Sequence, residues 1–323
     1  MRLMTTMNRS LNFSSKIYVA GHSGMVGSAI VRALKSSGYK NIITRTHAEL
    51  DLLMQEDVGN FLNSETPDFI FLAAAKVGGI NANDSYPADF IYENLMVEAN
   101  VINSAYNAGV NRMLFLGSSC IYPRDCSQPI NEEQMLSGSL ESTNEAYAIA
   151  KIAGIELCRS YNKQHGKEYF AVMPTNLYGP NDNYDLNDSH VIPALLRKAH
   201  EAKMRGDKEM WVWGTGDSRR EFLHVDDLAE ACVFLMEHGI KDGIFNVGCG
   251  QDMPIREIAE IVAKIVGFDG QLVFDVSQLE GVPRKLLNTD KLRQLGWESK
   301  IPLHDGLTKT YADFISNESY YSC

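Results

Sequence analysis

Short apolar runs alternate with segments of helical period from Lys16 to Met173, and this alternation constrains the chain more than any other feature. Lys16–Ala20, Asn41–Thr44, Asp68–Leu72, Arg112–Leu116 and Tyr169–Met173 read as strands. The stretches from Met25, Gln55–Asn63, Asp89–Asn107 and Asn144–Gln164 carry apolar residues at helical spacing. A strand that hands over to a helix and then to another strand returns parallel through a right-handed crossover, so a parallel sheet covered on both faces is expected. Beyond Pro174 the texture changes at Gly179-Pro180 and the polar Asn181-Asp182-Asn183-Tyr184-Asp185, and the elements become shorter and mixed. A helix from Val191, strands near Met210–Trp213, Phe222–His224, Ile244–Val247 and Leu272–Phe274, and helices Asp227–Met236 and Ile255–Val266 are expected there.

The glycines Gly21-His22-Ser23-Gly24-Met25-Val26-Gly27 follow the first strand and open the first helix. Glycine in that position lets the backbone turn sharply and approach a pyrophosphate, whose charge the helix N–H groups and dipole attract. The fold class implied is α/β, a Rossmann-type doubly wound parallel sheet with a smaller mixed α/β C-terminal substrate domain. The expected division is a flexible tail over 1–15, a dinucleotide-binding unit over 16–178 with 221–248 returning to it, and a substrate-binding unit over 179–220 and 249–323. A 2′-hydroxyl is held by Asp or Glu about 20 residues after the glycines, whereas a 2′-phosphate prefers a cation. Here Arg45, Thr46 and His47 stand at that place and no carboxylate precedes Glu49, which favours NADP over NAD. A solvated surface arginine is the alternative reading of Arg45.

Composition closes off other classes. At 45% hydrophobic and 22% charged residues, the chain has the make-up of a folded globular protein. The net charge of −11 argues against a nucleic-acid partner, whose backbone is bound electrostatically. No apolar stretch approaches the roughly 20 residues of a membrane span, and Met1 to Ser15 lacks the apolar region of a secretory signal. The six cysteines, Cys120, Cys126, Cys158, Cys232, Cys249 and Cys323, form no regular framework, so reduced thiols and a cytoplasmic location are expected.

Tyr147 and Lys151 share one helix face, about 6 Å apart along the axis. A lysine so placed favours the phenolate, and a tyrosine lowered toward neutral pH exchanges a proton with a carbonyl or alcohol. The pair gains weight from following the fourth strand, whose end carries Gly117-Ser118-Ser119-Cys120, because parallel sheets bind ligands at their carboxyl ends. Ser118 could hydrogen-bond the same substrate oxygen as Tyr147.

Together the glycine turn, Leu72-Ala73-Ala74-Ala75, Ser118 and the Tyr147/Lys151 pair resemble the extended short-chain dehydrogenase/reductase family of nucleotide-sugar epimerases, dehydratases and reductases. Longer strings narrow the resemblance to its GDP-sugar branch. They are Ala73-Ala74-Ala75-Lys76-Val77-Gly78-Gly79-Ile80, Gly117 to Pro123, Pro174 to Pro180, Ser189-His190-Val191-Ile192-Pro193 and Arg220 to Asp227. The likeness spans residues 16 to 315.

The resemblance implies an NADP-dependent enzyme, an oxidoreductase with epimerase activity, that converts GDP-4-keto-6-deoxy-D-mannose to GDP-L-fucose by epimerising C3 and C5 and then reducing the C4 ketone. It makes Ser118, Tyr147 and Lys151 the reductase triad and Cys120 with His190 the epimerising base and acid. A thiol and an imidazole ordinarily titrate on either side of neutrality, which suits such a pair. Cofactor contacts are implied at Gly21, His22, Ser23, Gly24, Met25, Val26 and Gly27, with Arg45, at His47-Ala48-Glu49-Leu50-Asp51-Leu52, at Leu116-Gly117-Ser118-Ser119, at Lys151, at Pro174-Thr175-Asn176-Leu177 and at His190. GDP-sugar contacts are implied at Lys198, Trp213, Arg220 and Glu280. Arg220 could clamp diphosphate oxygens and Trp213 could cover the nucleotide-sugar, although Trp213 also reads as core and Lys198 as a solvated face.

Ser23 and His47 depart from the family pattern, which often has arginines there, and Glu280 and Lys198 replace an aspartate and an arginine. Asp226-Asp227 reads as a helix cap rather than a metal site, and no metal is expected. The family is usually a homodimer through the helices around Asp89–Asn107 and Asn144–Gln164. Another nucleotide-sugar 4-reductase or 4-epimerase, or a non-catalytic NADP-binding protein, remains the alternative. Cys120 with His190 speaks against the first, and Tyr147 with Lys151 against the second.

Overall fold

The computed structural model describes residues 11–278 and 281–317. The tail expected over 1–15 lies outside them up to residue 10, as do Glu280 and Cys323. In chain order the first part runs β1 (Ile17–Ala20), α1 (Met25–Ser36), β2 (Ile42–Ile43), α2 (Gln55–Glu65), β3 (Phe69–Leu72), α3 (Ile80–Ser85), α4 (Pro87–Asn107), β4 (Arg112–Leu116), α5 (Glu145–His165) and β5 (Glu168–Pro174). The second runs β6 (Asn176–Tyr178), α6 (Val191–Arg205), β7 (Glu209–Trp213), β8 (Arg219–His224), α7 (Val225–Glu237), β9 (Ile244–Val247), β10 (Asp252–Pro254), α8 (Ile255–Val266), β11 (Gln271–Asp275), β12 (Arg284–Lys285), α9 (Asp290–Gln294) and α10 (Leu303–Ser316).

Six strands form one parallel sheet in the order β2-β1-β3-β4-β5-β9. Residues 17–20, 69–72 and 113–116 are buried throughout, which is why they read as unbroken apolar runs rather than alternating ones. One face carries α1 and α7, which pack on each other around Ile30, Leu34, Leu228 and Leu235. The other carries α2, α4 and α5 around Leu62, Val101, Ile102 and Ile155. Strand order reverses at β1, whose neighbours β2 and β3 lead away on opposite sides, so the glycine turn lies at the switch point where such sheets open a crevice.

A third apolar cluster gathers Ile192, Leu196, Val212, Phe222, Ile258, Val262, Leu307 and Phe314 from α6, β7, β8, α8 and α10. Here β11 pairs parallel with β7, while β8 joins β6, β10 and β12. No helix among the described residues is long and apolar enough to cross a membrane.

The cap expected from Asp226-Asp227 is corrected by the geometry. His224 is the capping residue of α7, its ring accepting from Asp226 N at 3.2 Å, and both aspartates lie inside the first turn. Asp227 instead accepts from Lys300 N (3.1 Å) and Ile301 N (2.9 Å), and Asp226 pairs with Arg32 at 2.7 Å. Carboxylates in a first turn favour the helix dipole without capping it.

Candidate active site

A cleft of about 730 Å³ opens along the carboxyl ends of β1, β3, β4 and β5 and extends to Arg220 of β8. Its floor at one end is the glycine turn. Gly21 sits at φ +81°, and a Cβ on Gly27 would lie 2.1 Å from Gly21 O, so a side chain there would expel the turn. α1 has no acidic residue in its first turn and no side-chain cap at Gly24, so its N-terminal N–H groups remain available to an anion. The buried Nδ1 of His22 has no hydrogen-bond partner. These residues fit a dinucleotide pyrophosphate.

Of the residues expected at the cofactor, Gly21, Ser23 to Gly27, Arg45, His47, Leu50 to Leu52, Leu116 to Ser119, Lys151, Pro174 to Leu177 and His190 line this cleft. His22, Ala48 and Glu49 are not among the lining residues, Ala48 and Glu49 being exposed and Glu49 accepting from Thr46 N and Oγ1. No carboxylate precedes Glu49 near Arg45 in the sequence, but the fold brings one in. Glu65, at the end of α2, reaches back to pair with it at 2.7 Å, a contact formed by tertiary packing rather than by near neighbours. Arg45 also lies over the Phe61 ring at 5.0 Å. His47 stands 3.8 Å from Asp51.

At the other end Ser118, Cys120, Tyr147, Lys151 and His190 share the same cleft. β4 delivers Ser118, whose Oγ accepts from Cys120 N at 3.2 Å and closes a single turn that presents the thiol. Asn144, the residue before α5, donates its amide to Cys120 Sγ at 3.3 Å and makes no cap bond with its own helix. His190 immediately precedes α6 and is brought in from the second half of the chain. Gly79 N donates to Asp188 O at 2.8 Å, and a Cβ on Gly79 would fall 2.6 Å from Ser189 O. The Gly78-Gly79 pair thus lets the 188–190 segment approach the sheet. The His190 ring keeps accessible surface toward the cleft, yet the protein walling it disfavours the imidazolium and lowers it from the ordinary value, with Asp188 opposing.

Tyr147 departs from expectation. The protein packed around its hydroxyl pushes the phenol well above its ordinary value, with Cys120 and Glu98 adding to the rise and a hydrogen bond to Ser118 opposing it. Lys151 does not bring it toward neutrality, because its ammonium is already engaged. Nζ lies 3.1 Å from Glu98 Oε1, donates to Leu116 O at 3.1 Å, and stands 5.8 Å from the centre of the Tyr147 ring.

The expected sugar-nucleotide residues divide. Arg220 lines the cleft, while Lys198 and Trp213 lie outside it, the ammonium 5.0 Å over the indole. Trp213 is 40% exposed, so the core reading does not apply. Burial lowers Lys198, and Asp275 opposes. Asn144, Asp182, Asp188 and Glu98 were not singled out from sequence. Glu98 carried a readable signal, a lone carboxylate set among Leu95, Met96, Val97, Val101 and Ile102. Among the described residues no group of three or more His, Cys, Asp or Glu could hold a metal ion.

Comparison with known proteins identifies the family. The model of the NAD dependent epimerase/dehydratase family matches residues 17–248. GDP-L-fucose synthase 1 of Arabidopsis thaliana is 56% identical over 304 residues, 94% of each chain. GDP-L-fucose synthase of Escherichia coli (strain K12) is 52% identical over 95% of this chain and 98% of that one. The crystal structure of a GDP-L-fucose synthetase from Naegleria fowleri bound to NADP superposes with a TM-score of 0.88 at 26% identity, covering 96% of both chains. With the family model spanning both the glycine turn and the Tyr147/Lys151 pair, the chain belongs to the NAD dependent epimerase/dehydratase family, the extended short-chain dehydrogenase/reductase group its motifs resemble.

Proposed function

We propose that the protein converts GDP-4-keto-6-deoxy-D-mannose to GDP-L-fucose, epimerising C3 and C5 and then reducing C4 with NADPH. The observation that carries this reading is the meeting of Cys120 and His190 with Ser118 and Tyr147 in one cleft that also reaches the glycine turn. A simple reductase has no use for the first pair. Relatives at 52% and 56% identity that bear the name GDP-L-fucose synthase support the same substrate.

The 4-keto group acidifies the C–H bonds at C3 and C5, so each inversion needs a proton removed from one face and another returned to the opposite face. Cys120, held by Asn144 and Ser118, is the base, and His190, arriving from the other wall, is the acid. Surroundings that disfavour the imidazolium make the protonated ring a ready donor. In the reduction, Tyr147 gives its proton to the C4 oxygen, with Ser118 hydrogen-bonding that oxygen. A phenol held above its ordinary value stays protonated at neutral pH, as a donor requires.

When bound, NADPH supplies the hydride to C4. The glycine turn and the start of α1 would hold its pyrophosphate, the 45–52 segment its 2′-phosphate end, and residues 116–119, 151 and 174–177 the end nearest the chemistry. Arg220 clamps the diphosphate of the substrate, with Lys198, Trp213 and Glu280 completing the GDP-sugar site. The unit built on the six-stranded sheet binds the dinucleotide and the third cluster binds the GDP-sugar. A cytoplasmic homodimer fits the five described cysteines, which are free thiols, and the exposed Tyr92 of α4 and Ile149 of α5.

Incubation with GDP-4-keto-6-deoxy-D-mannose and NADPH in D2O tests the reading. GDP-L-fucose labelled at C3 and C5, with one NADPH oxidised per product, is expected. NADPH oxidation giving an unepimerised product would reduce the activity to a 4-reductase.

A further inference from the structure

Glu98 of α4 is one of the few carboxylates buried in the interior, 1% exposed, against Lys151 at 2%. Besides the 3.1 Å contact to Lys151 Nζ, neither of its oxygens has a hydrogen-bond partner. A carboxylate removed from water and left with a single counter-charge is unfavourable unless it serves that charge. The approach is built into the helix pair, because α5 carries Gly154 where a Cβ would lie 2.6 Å from Glu98 Oε2 and 2.5 Å from the Phe115 ring. The ammonium is gripped on its other sides by Leu116 O and by the Phe115 ring, 4.8 Å away.

We propose that Glu98 is a positioning residue for the reduction: it holds the Lys151 ammonium in register beside Tyr147, and its negative charge keeps the Tyr147 hydroxyl protonated for donation to the C4 oxygen. This rests on the function proposed above. The groups that face Tyr147 are Lys151 on its own helix, Cys120 and Ser118 from the end of β4, Glu98 and the Phe90 ring from α4. Only Lys151 among them is cationic, and Glu98 offsets it. Cys158, one helical stretch beyond Lys151, feels the same carboxylate. Burial pushes Glu98 itself upward, and the Lys151 ammonium 3.1 Å away opposes that rise. The arrangement suits an enzyme working toward the alcohol. A lysine without its counter-charge would drive Tyr147 toward the phenolate, the form needed to oxidise an alcohol.

The test is the pH profile of NADPH oxidation by wild type, Glu98→Gln and Glu98→Asp. Each is run with NADPH and with NADPH deuterated at the transferred C4 hydrogen, so that the hydride step is recognised by its isotope effect. Leu116 O and the Phe115 ring still hold Lys151 Nζ in place in Glu98→Gln while its counter-charge is gone, so the alkaline limb moves to lower pH by about one unit. Glu98→Asp keeps the charge but withdraws it by one methylene, and its limb falls between the two. If Glu98→Gln does not fold, the Asp variant carries the test alone, and melting curves and NADPH titration establish which variants are folded. A limb that stays at the wild-type pH, or moves upward, in any folded variant overturns the proposal, even where the rate falls, because a purely structural role lowers activity without moving the limb. Absence of turnover in wild type would instead sink the function on which the proposal rests.

Discussion

Asn144 occupies a place where asparagine ordinarily accepts from the N–H groups of the first helical turn, yet its amide turns to the Cys120 sulfur. Because no cap is lost with it, Asn144→Ala should cost less than about 1 kcal/mol of stability in a denaturant melt. Deuterium uptake at C3 and C5 should nonetheless slow by about tenfold or more, while NADPH affinity stays unchanged. Asp182 gives a second prediction. Burial pushes this carboxyl up to about 7, with the Asn183 N–H opposing, and Oδ2 has no hydrogen-bond partner. Its unfolded value lies near 4, so the folded chain binds the extra proton between those two values and stability falls as pH rises through that window. Asp182→Asn should therefore raise the melting temperature of the ligand-free protein at pH 8 by about 3 °C or more, and the gain should vanish as pH approaches 4. Cys120, Tyr147, Lys151 and His190 are readable in the sequence because each sits in a string with a local meaning. Glu98, Asn144 and Asp182 are marked out by contacts with residues far along the chain or by burial, and spacing does not report either.

The β1-turn-α1 unit shows how much one element settles. Its glycines, strand and helix are contiguous, and sequence reading finds them with their ends nearly right. Gly27→Ala should weaken NADPH binding by at least about tenfold in a fluorescence titration, because the new methyl would meet Gly21 O and push the turn away from the pyrophosphate. The start of α7 shows the converse. Two aspartates before an apolar run predict a cap, but His224, with its ring buried, takes that role, freeing Asp227 to bind the backbone of residues 300 and 301. Local propensity marks where a helix begins and leaves open which neighbour satisfies its N–H groups.

Across the whole molecule, the parallel sheet was readable from the alternation up to Met173, and Ile244–Val247 was readable as a strand. What period and propensity do not supply is partnership. Nothing in the residues of β6, β10 or β12 says that all three join β8, because those pairings link segments of two or three residues across long stretches of chain. The cleft touches both the six-stranded sheet and Arg220 of β8, so a ligand filling it braces both parts. NADPH at one hundred times its dissociation constant should stabilise the protein by about 2.7 kcal/mol, read as a rise of several degrees in a thermal melt. Addition of GDP-sugar should raise the melt further.

The last strand of the sheet, β9, closes against β5 only after some seventy intervening residues have been made. On a ribosome, β5 emerges with one edge already paired to β4 and the other bare, and it stays so while residues 175–243 are added. An apolar parallel edge is a template for strands of other chains. A chain cut short before residue 247 would therefore carry five of the six strands and leave β5 with a bare apolar border, open to the strand of another chain.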